Sequence, residues 1–263
     1  MVMKKGFWII LCMFFIPLVT FAGNMKLHYD RPAEYFEEAL VIGNGTMGAT
    51  LYGGVKKDKI SFNDITLWTG EPESENSSPD AFNVIPEIRA LLDNEDYQGA
   101  DKAQYKVQGH YSENYQPLGT LTIEYLDDTA GISDYHRWLD IGNATARTQY
   151  LKDGKLFTSD YFASAPDSVI VIRLKSENKE GIHALLSFDS PLPHSSLVAD
   201  NEISVEGYAA YHSFPVYYKE EDKHRYDPER GIHFKTLVRV LSVDGSVRNR
   251  YSDSRIEIDG STE

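Results

Sequence analysis

One cysteine stands in 263 residues, and Cys12 lies inside the chain's long N-terminal apolar run. Removal of that run leaves a protein without thiols, which excludes disulfides, thiolate metal sites and cysteine nucleophiles together. Basic charge is scarce as well: 26 Lys and Arg face 40 Asp and Glu, for a formal net charge of −14. Past the N-terminus no basic run exceeds Lys56-Lys57. The basic stripe of a nucleic-acid binder is missing, so nucleic acid and anionic membrane surfaces are set aside as partners. The eight histidines form no His-x-x-x-His or His-Glu-x-x-His pattern, the spacing that places two ligands on one helix face. Their nearest grouping, Tyr211-His212 with His224, reads as packing. Neither a metal nor a cofactor is expected. The Gly43-Asn44-Gly45-Thr46-Met47-Gly48 stretch lacks the lysine of a phosphate loop and reads as a tight turn with close backbone packing.

Residues 1–22 differ from the rest. Lys4 and Lys5 precede an apolar run from Gly6 to Val19, which Thr20-Phe21-Ala22 closes with small residues. This is the layout of a secretory signal peptide. The run falls short of the about 20 apolar residues of a membrane span. The expected product is a single domain over residues 23–263, exported to a bacterial periplasm or cell surface, with no stable membrane span.

Most of what remains reads as strands. Ile60 and Phe62 share a face, as do Leu121, Ile123 and Tyr125. Val169 to Leu174 is nearly continuous and β-branched, and Ala184, Leu186 and Phe188 alternate. Ile203 with Val205, Gly231 to Val243, and Ile256 with Ile258 continue the pattern. Period two with turn residues between runs gives an all-β chain, a large antiparallel β-sandwich. One segment departs from it. From Pro79-Asp80 to about Val107, Ile85, Ile88, Leu91 and Leu92 recur at helical spacing. Asn94 interrupts them, and Tyr97, Ala100, Ala103 and Lys106 follow. This predicts an inserted helical hairpin, covering a sheet edge, facing a neighbouring domain or packing on its own sheet.

Forty acidic residues guarantee carboxylate clusters, so Glu37-Glu38, Asp127-Asp128 and Glu220-Glu221-Asp222 nominate no catalytic pair. The aromatics say more. Seventeen Tyr and three Trp offer flat faces with polar edges, which suit sugar rings as well as cores. Trp68, Tyr115 and Trp138 fall near turns or strand ends, where packing and ligand contact are both open readings.

The segment from Tyr29 to Gly70 contains Glu38-Ala39-Leu40-Val41-Ile42-Gly43-Asn44-Gly45, then Asn63-Asp64-Ile65-Thr66-Leu67-Trp68-Thr69-Gly70. Tyr115-Gln116-Pro117-Leu118-Gly119-Thr120-Leu121 follows after the helical stretch. In order and interval these resemble the opening of glycoside hydrolase family 95, with the clear match over residues 27–126. Val41 stands where that family usually has proline, Asp64 where it has glutamate, and Thr69 where it has serine.

The resemblance implies a β-sandwich that packs on a helical (α/α)6 barrel, in an enzyme that releases terminal α-L-fucose with inversion. Some relatives act on α-L-galactosyl linkages. The family's catalytic glutamate, asparagines and aspartate lie in the barrel, so no catalytic residue is carried over to this chain. On this reading the chain is the front of a longer enzyme and is inactive alone. A stand-alone carbohydrate-binding sandwich is the alternative. Fucosylated glycans and the barrel are the expected partners. Asn63, Asp64, Thr66, Trp68, Tyr115 and Gln116 are the candidate residues, at an interface with the barrel first and at the rim of a sugar pocket second. An isolated sandwich with such an interface exposed is expected to self-associate.

Overall fold

The computed structural model describes residues 25–72, 80–109 and 112–263. The predicted signal peptide lies outside them, as does most of the stretch before the helices. Among the described residues no helix is long and apolar enough to cross a membrane. The chain opens with β1 (Lys26–Tyr29), β2 (Leu40–Gly43), β3 (Met47–Leu51) and β4 (Lys57–Asp64). Two helices follow, α1 (Ala81–Asp93) and α2 (Tyr97–Gln104). Next come β5 (Gly119–Tyr125), β6 (Ile132–Asp140), β7 (Thr145–Lys152), β8 (Lys155–Ser164), β9 (Val169–Ser176) and β10 (Ile182–Asp189). The last part holds β11 (His194–Ala199), β12 (Glu202–Tyr208), β13 (His212–Ser213), β14 (His224–Arg225), β15 (His233–Arg239), β16 (Ser246–Arg250) and β17 (Arg255–Ser261).

One layer is a seven-stranded sheet in the order β16-β17-β10-β5-β4-β3-β2. Its pairings are antiparallel and keep one apolar face in register. Ile42 lies beside Ala49, Leu51 beside Ile60, Ile60 beside Leu121, Ile123 beside Leu186, and Leu186 beside Ile256. A one-residue slip would turn this whole set outward. The second layer has two parts: a five-stranded sheet, β1-β6-β7-β8-β9, and a three-stranded sheet, β11-β12-β15. Tyr150, Phe157 and Tyr161 from the first part and Val198, Ile203 and Val205 from the second join one continuous core with the seven-stranded sheet. The all-β sandwich and the helical hairpin are therefore both present.

The Gly43–Gly48 stretch is the β2–β3 turn, as its glycines suggested. Asn44 Oδ1 accepts from the amides of Thr46 and Met47 at 3.1 and 2.8 Å. Its amide nitrogen donates to the Ser164 carbonyl at 3.0 Å, fastening the turn to the end of β8 in the facing sheet. Gly119 is needed for space, since a Cβ there would sit 2.4 Å from the Phe188 ring.

The helices behave differently from the strands. Asp96 caps α2 by accepting from the Gly99 amide at 2.9 Å, an ordinary N-cap bond. The pair pack on each other. α1 buries Val84 alone and leaves Phe82 84% exposed, with Ile85, Leu92, Tyr97 and Tyr105 also open to solvent. Packing on its own sheet does not account for this apolar surface.

Strands β6, β7 and β8 carry no clear alternation in the sequence, because their inward face is partly polar. Arg137, Thr148 and Ser159 are buried there. Arg137 is 1% exposed; it donates to the carbonyls of Arg31 and Glu38 at 2.7 and 2.8 Å and stacks over Tyr29. Opposite lies Asp58, also 1% exposed, accepting from the Gly54 amide at 2.9 Å and the Tyr161 hydroxyl at 2.8 Å.

Candidate functional site

At the end of β4 the chain turns sharply. Asp64 Oδ1 accepts from the Thr66 amide at 2.9 Å and from its hydroxyl at 2.6 Å. This is the bond by which an Asp two residues earlier closes a turn, and a carboxylate one methylene longer would overshoot it. Thr66 is thereby held by Asp64. Leu67 drops into a small satellite core with Leu192 and Ala209, which leaves Trp68 outward. Trp68 pairs as a lone antiparallel bridge with Tyr115, and the rings lie 5.6 Å apart at 54°. Each is 44% exposed. The Trp68 indole N–H donates to the Ile65 carbonyl at 3.0 Å, so the ring is fixed rather than free.

Gln116 is 7% exposed, and its backbone N–H donates to the Leu67 carbonyl at 2.9 Å. Asn63 Oδ1 accepts from the Leu118 amide at 3.4 Å. The six candidate residues are therefore brought to one end of the sandwich. Trp68, Tyr115 and Thr66 face solvent. Asn63, Asp64 and Gln116 shape the backbone that presents them. Trp138 is elsewhere, on the five-stranded sheet, stacked on His28 at 6.5 Å with the Arg147 guanidinium 5.9 Å from its ring.

Behind the Trp68–Tyr115 pair lies a polar cluster that sequence reading underrated. Glu113 accepts from His212 Nδ1 at 2.8 Å, from the Ser213 amide at 3.0 Å and from the Thr69 hydroxyl. Ser213 Oγ lies 2.9 Å from His224 Nδ1 and accepts from the Asn114 side chain at 2.8 Å. The Thr69 hydroxyl in turn accepts from the Asn114 amide at 2.9 Å. Serine would supply the same hydroxyl, so Thr69 keeps the chemistry of the residue it replaces. Gly70 has φ +110°, and a Cβ there would sit 2.7 Å from Glu113 Cγ. Only glycine fits a positive φ against so close a neighbour. The one available signal was the His212–His224 grouping. Its partner, Glu113, is about a hundred residues away and invisible to spacing.

The cluster contains a serine, two histidines and a carboxylate, yet it is not a nucleophilic relay. Such a relay needs the carboxylate to orient the imidazole that touches the serine. Here Glu113 holds His212, whereas Ser213 touches His224, and Ser213 is fully buried. The cluster fastens the β13–β14 hairpin to the loops at 69 and 113. A second tie runs beside it. Arg230 pairs with Glu71 and lies 3.6 Å over the Tyr211 ring. The Arg230 hydrogen bond holds the Glu71 carboxyl below the usual range.

Asp58 is the other carboxylate with unusual chemistry. Burial pushes it up to about 6, against bonds from Gly54 and Tyr161 that pull it down. A proton donor with such a value suits acid catalysis, but Asp58 is enclosed and no substrate can reach it. Among the described residues no group of three His, Cys, Asp or Glu is placed to hold a metal ion.

Residues 27–263 match a family described as "Glycosyl hydrolase family 65, N-terminal domain". The chain belongs to this family. The match spans both layers of the sandwich and the helices, so the likeness read from the first hundred residues extends to the whole described fold. This family 65-type domain is 31% identical over 231 residues to alpha-L-fucosidase 2 of Arabidopsis thaliana, which covers 85% of the chain and 27% of that relative. It is 30% identical over 179 residues to probable alpha-fucosidase A of Aspergillus niger, covering 64% of the chain and 22% of the relative. With the same-named protein of Aspergillus oryzae it shares 27% over 145 residues, 53% of the chain and 20% of the relative. These fucosidase relatives agree with the family 95 type of N-terminal domain expected from the motifs. The domain spans about a quarter or less of the curated relatives it matches.

Proposed function

We propose that this chain supplies the N-terminal β-sandwich of an exported glycoside hydrolase that releases terminal α-L-fucose, or α-L-galactose, from glycans with inversion. The sandwich docks on a helical barrel that carries the catalytic groups. Its docking end is the Trp68–Tyr115 pair with the Asp64–Thr66 turn. The observation that carries this reading is the 85% coverage by an alpha-L-fucosidase relative, joined to an outward aromatic pair built from the two motif segments that carry the likeness. Inversion requires two carboxyl groups about 6.5–9.5 Å apart with a water between them. Asp58 is enclosed and Glu113 is tied to three partners, so neither is free for that work. Export rests on Lys4, Lys5 and the apolar run that ends at Ala22.

The direct test is incubation of the 263-residue chain with an aryl α-L-fucoside. No release above buffer is expected. Turnover that survives purification and disappears on mutation of a carboxylate in this chain would show that the catalytic groups are here. Docking is tested in a protein carrying both sandwich and barrel, where Trp68→Ala is expected to lower thermal stability and turnover together. If both stay unchanged, the docking end is misplaced.

A further inference from the structure

A groove of about 680 Å³ opens on the outer face of the three-stranded sheet, lined by Pro193, His194, Glu206, Tyr208, His233 and Lys235 among others. That volume falls in the usual range of small-molecule sites. We infer that this groove is a binding site for a neutral saccharide, separate from the Trp68–Tyr115 end. The inference stands on the groove's own lining and does not depend on the docking role given to Trp68.

The strand pattern explains the lining. Ile203, Val205 and Gly207 of β12 point into the core, so Glu206 and Tyr208 point outward. The register sets Glu206 beside Lys235 and Tyr208 beside His233. Tyr208 lies 5.9 Å from the His233 ring and 6.5 Å from Tyr226, which meets it edge-on. The floor is closely packed: a Cβ on Gly207 would come within 2.4 Å of the Pro193 carbonyl and 2.5 Å of the Phe234 ring. His194 pairs with Gly207 and Ser195 with Glu206, so Ser195 shares the groove face while His194 borders it through its backbone. Tyr208 and the floor beneath it are thus placed before any ligand arrives.

Charge decides the class of ligand. Lys235 donates to Glu206 at 2.6 Å, so each charge in the groove already has its counter-charge. An anion drawn to Lys235 also meets the Glu206 carboxylate, and a cation drawn to Glu206 also meets the Lys235 ammonium, so the groove favours neither sign. A neutral ring with an apolar C–H face and a rim of hydroxyls needs no such exchange. Its face suits the tyrosine ring, and its hydroxyls suit the carboxylate, the ammonium and the His233 imidazole as acceptors and donors.

The test is titration of the full chain with lactose, cellotriose and maltotriose, read by amide NMR shifts and calorimetry, with glucuronate and glucosamine as charged controls. Saturable binding of at least one neutral probe is expected, with shifts centred on Tyr208, His233 and Lys235. Tyr208→Ala is expected to weaken it about tenfold, the loss of a stacked ring, and Tyr208→Phe to stay within about threefold. Should Tyr208→Ala fail to fold, the exposed Lys235→Ala serves instead, with a several-fold loss expected. Three results overturn the inference: no saturable binding of any neutral probe, binding that these variants leave unchanged, or tighter binding of a charged control.

Discussion

Two polar regions of this sandwich are built from similar residues and do opposite things. Around Asp58 and Arg137, carboxylate, guanidinium and tyrosine hydroxyls are sealed between the sheets. Around Trp68 and Glu113, carboxylate, histidine and hydroxyl groups stand at the edge, with two aromatic rings open to solvent. In the first region the bonds join strand to strand, to the β3–β4 turn at Gly54 or to the N-terminal segment. In the second, the bonds tie loops to one another and to the short β13–β14 hairpin. Residue type does not separate scaffold from site here; the depth at which the polar groups are held does.

The sealed region can be broken most severely at Arg137. Arg137→Ala leaves the Arg31 and Glu38 carbonyls without their donor and opens a cavity. A loss of about 3–5 kcal/mol is expected in chemical denaturation; a loss below about 1 kcal/mol would mean that water replaces the side chain freely.

Asp58 sharpens the comparison through pH. Its folded value, about 6, lies above the ordinary 3.8, so the folded state holds the proton more tightly than the unfolded chain does. The stabilising contribution is present below about pH 4 and is lost as pH rises through about 6. Two pKa units correspond to about 3 kcal/mol. Asp58→Asn lacks this titration. The stability of the wild type relative to this variant is expected to fall by up to that amount between pH 4 and 7, which urea melts across the range measure. A flat difference would show that Asp58 does not titrate in that window.

Smaller effects are expected at the open end. Glu113→Gln weakens the bonds to His212, Ser213 and Thr69. It is expected to speed proteolytic cleavage within 212–225 several-fold, at a global cost of about 1–2 kcal/mol. Unchanged cleavage would mean that the hairpin is held by other contacts. Trp68→Ala in the isolated chain is expected to change stability by less than about 1 kcal/mol, because the half-exposed ring packs mainly on Tyr115. A larger loss in thermal melts would make Trp68 part of the scaffold.

Legibility in the sequence follows the same division. Strands β4, β5, β10 and β17 of the seven-stranded sheet were readable because their inward face is mostly apolar, as in Leu121, Ile123 and Tyr125. Both helices were readable from Ile85, Ile88, Leu91 and Leu92, and from the break at Asn94. Strands β6 to β8 were not, because Arg137, Thr148 and Ser159 face inward and erase the alternation. The motif segments led to the Trp68–Tyr115 end through the likeness rather than through periodicity. Its supporting cluster stayed hidden because Glu113, Ser213 and His224 meet only after the chain has closed both layers. The groove on β11, β12 and β15 stayed hidden for another reason: Glu206, Tyr208 and Lys235 look like any solvent-facing half of an alternating strand.

The helical hairpin leaves the sheet after β4 and the chain re-enters at β5, and those two strands are direct neighbours, with Phe62 beside Gly119 and Ser61 beside Thr120. The excursion therefore begins and ends at the same place on the sheet. Beyond the Trp68–Tyr115 bridge and the Thr69–Asn114 bond beside it, no strand pairing among the described residues involves the helices themselves. The position is a natural port, where one helical module can be exchanged for another, or for a reporter, while the sandwich around it keeps its register.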